Sequence, residues 1–225
     1  MVISGLFRLF LVDPMKKNIP HIIRLFSAFV VLFTSVNSSG QNLDINILRN
    51  INSGRSASGD KVMTGFTNSV YPASVALPIA ELIVGYARHD KQTVAYGWQT
   101  VAGLGINAIV TFGLKDAISR PRPYITYPDI RPYQHLTDAS FPSGHTSFSF
   151  CSAASVSLCY PRWYVILPSY LWAASVGYSR MYLGMHYPTD VLAGAVVGTG
   201  SAWLAYKGNK WLWKRKNKRA TIQRE

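Results

Sequence analysis

Three short groups of residues in this sequence have the types and spacing to do chemistry: Lys115 with Arg122-Pro123, the tetrapeptide Pro142-Ser143-Gly144-His145, and Arg180 with His186 and Asp190. The pair His186 and Asp190 is the sharpest. Pro188 between them suits the first turn of a helix, which puts Asp190 in that turn and lets its carboxylate reach back to the imidazole. A carboxylate on one ring nitrogen fixes the tautomer and leaves the other nitrogen free as a nucleophile. His145, His186 and Asp190 are also a zinc-type ligand set, but three neighbouring cations oppose a divalent metal, so neither a metal nor another cofactor is expected. Lys115 or Arg122 alone reads equally well as an interfacial cation stretched to the membrane surface. Together with Arg180 they form a trivalent cradle, and the guanidinium fork suits phosphate oxygens. Gly144 lets an anion approach the backbone closely, the amides of residues 143–145 would point outward at a helix N-terminus, and Ser143 adds a hydroxyl donor.

The elements that must carry these residues are apolar helices. Of 225 residues 48% are hydrophobic and only 15% charged, where a soluble domain has about a quarter. Five apolar segments follow residue 69: Val70–Ala87, Gln92–Leu114, His145–Tyr160, Trp163–Tyr178 and Pro188–Tyr206. No alternation long enough for a sheet interrupts them, so the fold class is all-α, an integral-membrane helical bundle. An earlier segment, Leu25–Val36, follows Lys16, Lys17 and Arg24 and precedes Ser38 and Gly40, which has the form of a secretory signal. The bundle has about six helices if that segment is kept and five if it is cleaved. Met15 is a plausible start. Residues 41–69 read as a short amphipathic segment or loop, so residues 1–40, 41–206 and 207–225 divide into extension, bundle and basic tail. Cys151 and Cys159 are eight positions apart, about 12 Å along a helix, too far to bond each other, and read as small buried apolar residues.

The formal charge of +13 invites a nucleic-acid reading, but eight basic residues from Lys207 onward face only Glu225 and follow directly on an apolar segment. That pattern is a cytoplasmic membrane flank, and no nucleic-acid partner is expected. Crossing the membrane at each segment puts Arg88, Lys91, Arg162 and the tail on the cytoplasmic side. Lys115, Arg122 and Arg180 then fall on the opposite side, against the positive-inside rule, which calls for a functional reason.

With order and internal spacing intact over residues 115–190, the three groups resemble the signature of the type 2 phosphatidic acid phosphatase superfamily, shared with bacterial class A acid phosphatases and vanadium haloperoxidases. The resemblance implies that Lys115, Arg122, Arg180, Ser143 and the Gly144 amide bind phosphate oxygens. It also implies that His186 attacks phosphorus to give a phosphohistidine, that Asp190 orients it, and that His145 protonates the leaving oxygen. Arg120 and His135 read as residues that support the site from behind or lie at the surface. The long apolar segments are similar to the membrane lipid phosphatases and argue against the soluble acid phosphatases. A bacterial inner-membrane protein with its site facing the periplasm is expected. Its partners would be membrane lipids and a lipid phosphate, with the lipid A 1- or 4′-phosphate preferred over undecaprenyl pyrophosphate or phosphatidylglycerol phosphate. Oligomeric state is not legible in the sequence. A protein that only binds or moves phospholipids would have the same helices, but not the complete acid, nucleophile and orienter. Vanadate is expected to inhibit phosphate release and chelators to leave it unchanged; activity lost on chelation would restore the metal reading.

Overall fold

The computed structural model describes residues 39–222. The signal-like segment and the question of the start lie outside the described residues. The chain divides into two compact units, Met1–Leu43 and Asp44–Glu225, and the second holds nearly all of the described residues. The elements are α1 (Ser39–Ser53), α2 (Ala57–Ala87), α3 (Lys91–Ile118), the single turn α4 (Pro123–Thr126), α5 (Gly144–Cys159), α6 (Trp163–Tyr182) and α7 (Pro188–Ile222), with no strand among the described residues.

The five apolar segments are the five long helices, with different ends. Residues 41–69 are not a loop: they contain most of α1 and the first turns of α2. Ser56 caps α2 by accepting from the Gly59 amide at 3.1 Å, and Asp60 sits favourably in the first turn. At 1.5 Å per residue the 31 residues of α2 span about 46 Å, longer than a hydrocarbon core of about 30 Å, so its polar turns extend past the apolar stretch. At the other end α7 runs to Ile222, so the basic tail continues the last helix. The apolar windows of Ala57–Ala87 and Lys91–Thr126 have a mean hydropathy of 1.4, yet only 28% and 22% of them are buried. A core helix of a soluble protein would be mostly covered. Here Ile79, Ile83, Ile109, Phe112, Leu171 and Leu192 face outward, as lipid contact demands.

Between lipid-facing helices there is no hydrophobic driving force, and close backbone approach and interhelical hydrogen bonds take its place. Gly194 and Gly198 bring α7 onto α5. A Cβ on Gly194 would lie 2.7 Å from the Ser143 carbonyl oxygen, and one on Gly198 would collide with the Ser147 carbonyl and stand 2.8 Å from the Cys151 amide nitrogen. The serines that make α5 only marginally apolar face its neighbours. Ser147 Oγ meets Thr111 Oγ1 of α3 at 2.9 Å, and Ser152 Oγ donates to Ser74 Oγ of α2 at 2.9 Å. Cys151 and Cys159 are buried and unbridged.

The end of α3, the start of α5, the end of α6 and the start of α7 share one end of this bundle. The segment between α4 and α5 is tied across that end: Tyr133 donates its amide to Leu183 O at 2.9 Å, Arg131 donates its amide to Asn52 Oδ1 at 2.9 Å, and Asn52 Nδ2 donates to Tyr182 O at 3.0 Å. Gly198→Ala is expected to destabilise the α5–α7 contact by about 1–3 kcal/mol through overpacking. The check is the thermal midpoint in detergent. Gly200→Ala, whose Cβ would meet nothing within 4 Å, serves as the uncrowded control and should not lower the midpoint.

Candidate active site

His186 lies in the turn between α6 and α7, buried, with its two ring nitrogens in different surroundings. Nδ1 is 3.6 Å from Asp190 Oδ2, the i, i+4 approach that Pro188 predicts. Ser140 is the other neighbour: its hydroxyl lies 3.4 Å from Nδ1 and donates to Asp190 Oδ2 at 2.5 Å. Nε2 faces Arg122 Nη1 at 3.4 Å. Burial pushes the His186 pKa down from its ordinary value near 6.5 to about 4, outweighing the upward pull of Asp190. The imidazole is therefore neutral at physiological pH, which leaves one nitrogen with a lone pair.

Asp190 is fully buried and fully engaged. Oδ1 accepts from Arg120 Nη1 at 2.7 Å, and Oδ2 accepts from the Tyr187 amide at 3.0 Å as well as from Ser140. Its backbone oxygen accepts the Ser143 amide at 3.0 Å, joining the second group of residues to the third. The Ser143 amide is thus not one of the outward-pointing groups that the sequence suggests. Ser143 Oγ accepts from Thr146 Oγ1 at 2.9 Å, which leaves its own proton available to donate. Gly144 and His145 occupy the first turn of α5, where amides have no intrahelical partner. The His145 ring packs edge-on against Tyr71 at 5.0 Å and lies within electrostatic reach of Arg180 and His186.

The three cations converge, but in two different states. Lys115 Nζ pairs with Asp138 Oδ2 at 3.0 Å and also donates to the Ala139 carbonyl. Arg122 pairs with the other oxygen of Asp138 at 2.7 Å and donates to Met185 O at 3.0 Å. Burial would raise the Asp138 pKa, but Lys115 and Arg122 together hold it below the usual carboxylate range. Arg180 is 1% exposed and lies within electrostatic reach of Arg122. Its Nη1 donates to Thr67 Oγ1 at 3.1 Å, while Nε and Nη2 have no partner. A buried guanidinium with two unmet donors is costly unless an anion completes it.

Residues 96–214 match the sequence profile of the PAP2 superfamily, a little over half of the chain. The chain belongs to the PAP2 superfamily. It is 28% identical to an undecaprenyl-diphosphatase of Bacillus subtilis, with 66% of this chain and 74% of that protein covered. It is 36% identical to a lipid A 1-phosphatase of Rhizobium etli, covering 61% of this chain and 65% of that protein. A transmembrane PAP2-type phosphatidylglycerolphosphate phosphatase from Bacillus subtilis has the same fold, with a TM-score of 0.67 and 26% identity over 84% of this chain and 95% of that one. This PAP2 chain is thus an all-α integral-membrane phosphatase.

Among the described residues of this PAP2 site no cluster of three His, Cys, Asp or Glu side chains could hold a metal ion. Asp138, Ser140 and Asp44 were not singled out from the sequence. Arg120, read there as a supporting or surface residue, takes the supporting place: it touches the Asp190 carboxylate. His135 is exposed and packs edge-on against Tyr124 at 5.1 Å. Histidine-selective nitrogen NMR in detergent is expected to show His186 neutral at its ordinary value near 6.5 and protonating only as pH falls towards about 4. A protonated signal for His186 near the upper value would contradict the buried, desolvated site.

Proposed function

We propose that this protein removes phosphate from a membrane lipid phosphate through a phosphohistidine on His186. The observation that carries the reading is Arg180, a buried cation with Nε and Nη2 unpaired beside a neutral histidine backed by a carboxylate. Lys115, Arg122 and Arg180 hold the phosphate oxygens, with the Ser143 hydroxyl and the Gly144 amide completing the cradle. A Cβ on Gly144 would meet no protein atom within 4 Å, so internal packing does not require glycine there. Close approach of a ligand to the backbone does.

In the first step Nε2 of His186 attacks phosphorus as the bond to the leaving oxygen breaks. Charge building on the equatorial oxygens is met by the fixed cations. Asp190 holds Nδ1 and stabilises the imidazole as it becomes positive. His145 gives its proton to the leaving oxygen, and the dianion bound beside it favours its protonated form. His145 then takes a proton from water, water attacks phosphorus, and the P–N bond breaks to free phosphate and restore His186. No metal takes part in this scheme.

The preferred substrate is lipid A carrying a 1- or 4′-phosphate, supported by the 36% identity to a lipid A 1-phosphatase. Undecaprenyl pyrophosphate is the second reading, favoured by the relative that covers 66% of this chain. The site faces the periplasm of a bacterial inner membrane in this scheme, because the opposite end of the bundle carries the basic tail. Mass spectrometry of lipid A and of undecaprenyl carriers with and without the gene separates the two lipids. His186→Ala is expected to abolish phosphate release while insertion is retained, and retained turnover would refute the mechanism. His145→Ala is expected to lower kcat by roughly 10²–10⁴-fold on lipid phosphates. On p-nitrophenyl phosphate, whose leaving oxygen needs little protonation, the first-turnover burst of phenolate should be nearly spared while hydrolysis of the phosphohistidine stays slow.

A further inference from the structure

Both terminal nitrogens of Arg120 are held, with its side chain 24% exposed. Nη1 donates to Asp190 Oδ1 at 2.7 Å and to Thr189 Oγ1 at 2.7 Å, and Nη2 donates to Asp44 Oδ2 at 2.9 Å. The guanidinium carbon Cζ lies over the Tyr187 ring, 3.8 Å from its centre. Asp44, on the buried face of α1, has its own hold on α7: Oδ1 accepts the Thr189 amide at 2.9 Å and Oδ2 accepts the Thr189 hydroxyl at 2.6 Å. It thereby satisfies an orphan amide of the first turn of α7, the turn that carries Asp190. The main chain of Arg120 acts as well, because its carbonyl accepts the Ser140 amide at 2.8 Å and so places the hydroxyl that donates to Asp190.

We propose that Arg120, braced by Asp44, is a positioning residue that assigns the two oxygens of Asp190 different tasks. The proposal rests on the reading of His186 as nucleophile. Oδ1 is committed to Arg120, so the carboxylate cannot rotate and exchange its oxygens, and Oδ2, which also accepts from Ser140 and the Tyr187 amide, is kept 3.6 Å from Nδ1 of His186. Arg120 also compensates the buried charge of Asp190, keeping it ionised where a proton would remove its hold on the imidazole. Arg120 acts through Asp190 and not on the phosphate: its side-chain partners all belong to this network, and Lys115, Arg122 and Arg180 supply the cradle. A planar fork is needed to span Asp44 and Asp190 at once, which a lysine ammonium cannot do.

The test is a double-mutant cycle on purified full-length protein in detergent, with kcat and KM measured on one lipid phosphate for Arg120→Gln, Asp190→Asn and the pair. Arg120→Gln is expected to lower kcat by roughly 10²-fold, the scale of a small misplacement of a reacting group, with KM little changed. Added to Asp190→Asn it is expected to cost nothing further, because the residue it acts through is already lost. Additive losses, or a loss confined to KM, would overturn the proposal by making Arg120 a phosphate ligand or a general structural brace. Full activity in Arg120→Gln alongside an inactive Asp190→Asn would overturn the proposal alone. Full activity in Asp190→Asn would overturn the role of Asp190 and the proposal with it, whereas turnover retained in His186→Ala would overturn the reading of His186 beneath both. Asp44→Asn, which leaves Arg120 in place, guards against misfolding of Arg120→Gln: it is expected to lower kcat in the same direction by a smaller factor, and unchanged kcat would count against the brace.

Discussion

A carboxylate taken out of water costs several kcal/mol unless charges and hydrogen bonds replace its hydration. Asp190 is fully buried, and meeting its demand organises this end of the molecule. Arg120 comes from beyond the end of α3, Ser140 from the segment before α5, and the Tyr187 amide from the turn before α7. The backbone oxygen of the same residue takes the Ser143 amide. Two chain segments distant from Asp190 in sequence are therefore pinned around it beside its own turn, and His186 sits against it because the turn at Pro188 leaves it one helical turn away.

The remaining charges follow the same logic with a different balance. Asp138 lies between Lys115 and Arg122, with half of its side chain exposed, so those two cations have a protein partner that water also reaches. Arg180, buried as well, keeps two donors unmet. Lys115, Arg122 and Asp138 together carry one net positive charge and Arg180 a second, so the excess is shared around the neutral imidazole of His186. Helix packing holds this balance in place. Glycines at 194 and 198 let α7 approach the first turns of α5, and that approach is what lets Ser143 reach Asp190.

Much of this is readable in the sequence where the signal is local. The i, i+4 spacing across Pro188 foretells the His186–Asp190 approach, and five apolar segments foretell five long helices. The ends of α2 and α7 are not readable from apolarity, because a helix continues past the membrane wherever capping and propensity allow. Ser140 and Asp138 lie in a segment without period, and their partners are distant in the chain. Arg120-Pro121-Arg122-Pro123 repeats one dipeptide, and nothing local says that the first arginine turns to Asp190 and the second to Asp138. Asp44 does leave a trace: it shares a face of α1 with Ile45, Leu48 and Asn52, a polar residue at a core position, which asks for a buried partner.

Covalent catalysis by His186 is tested most directly by quenching the purified enzyme in alkali during its first turnover of a phosphate-labelled lipid and mapping the labelled peptide. An alkali-stable, acid-labile phosphoramidate on His186 is expected. Label on a peptide without His186, or phosphate released with no protein label at any time in the turnover, would contradict it.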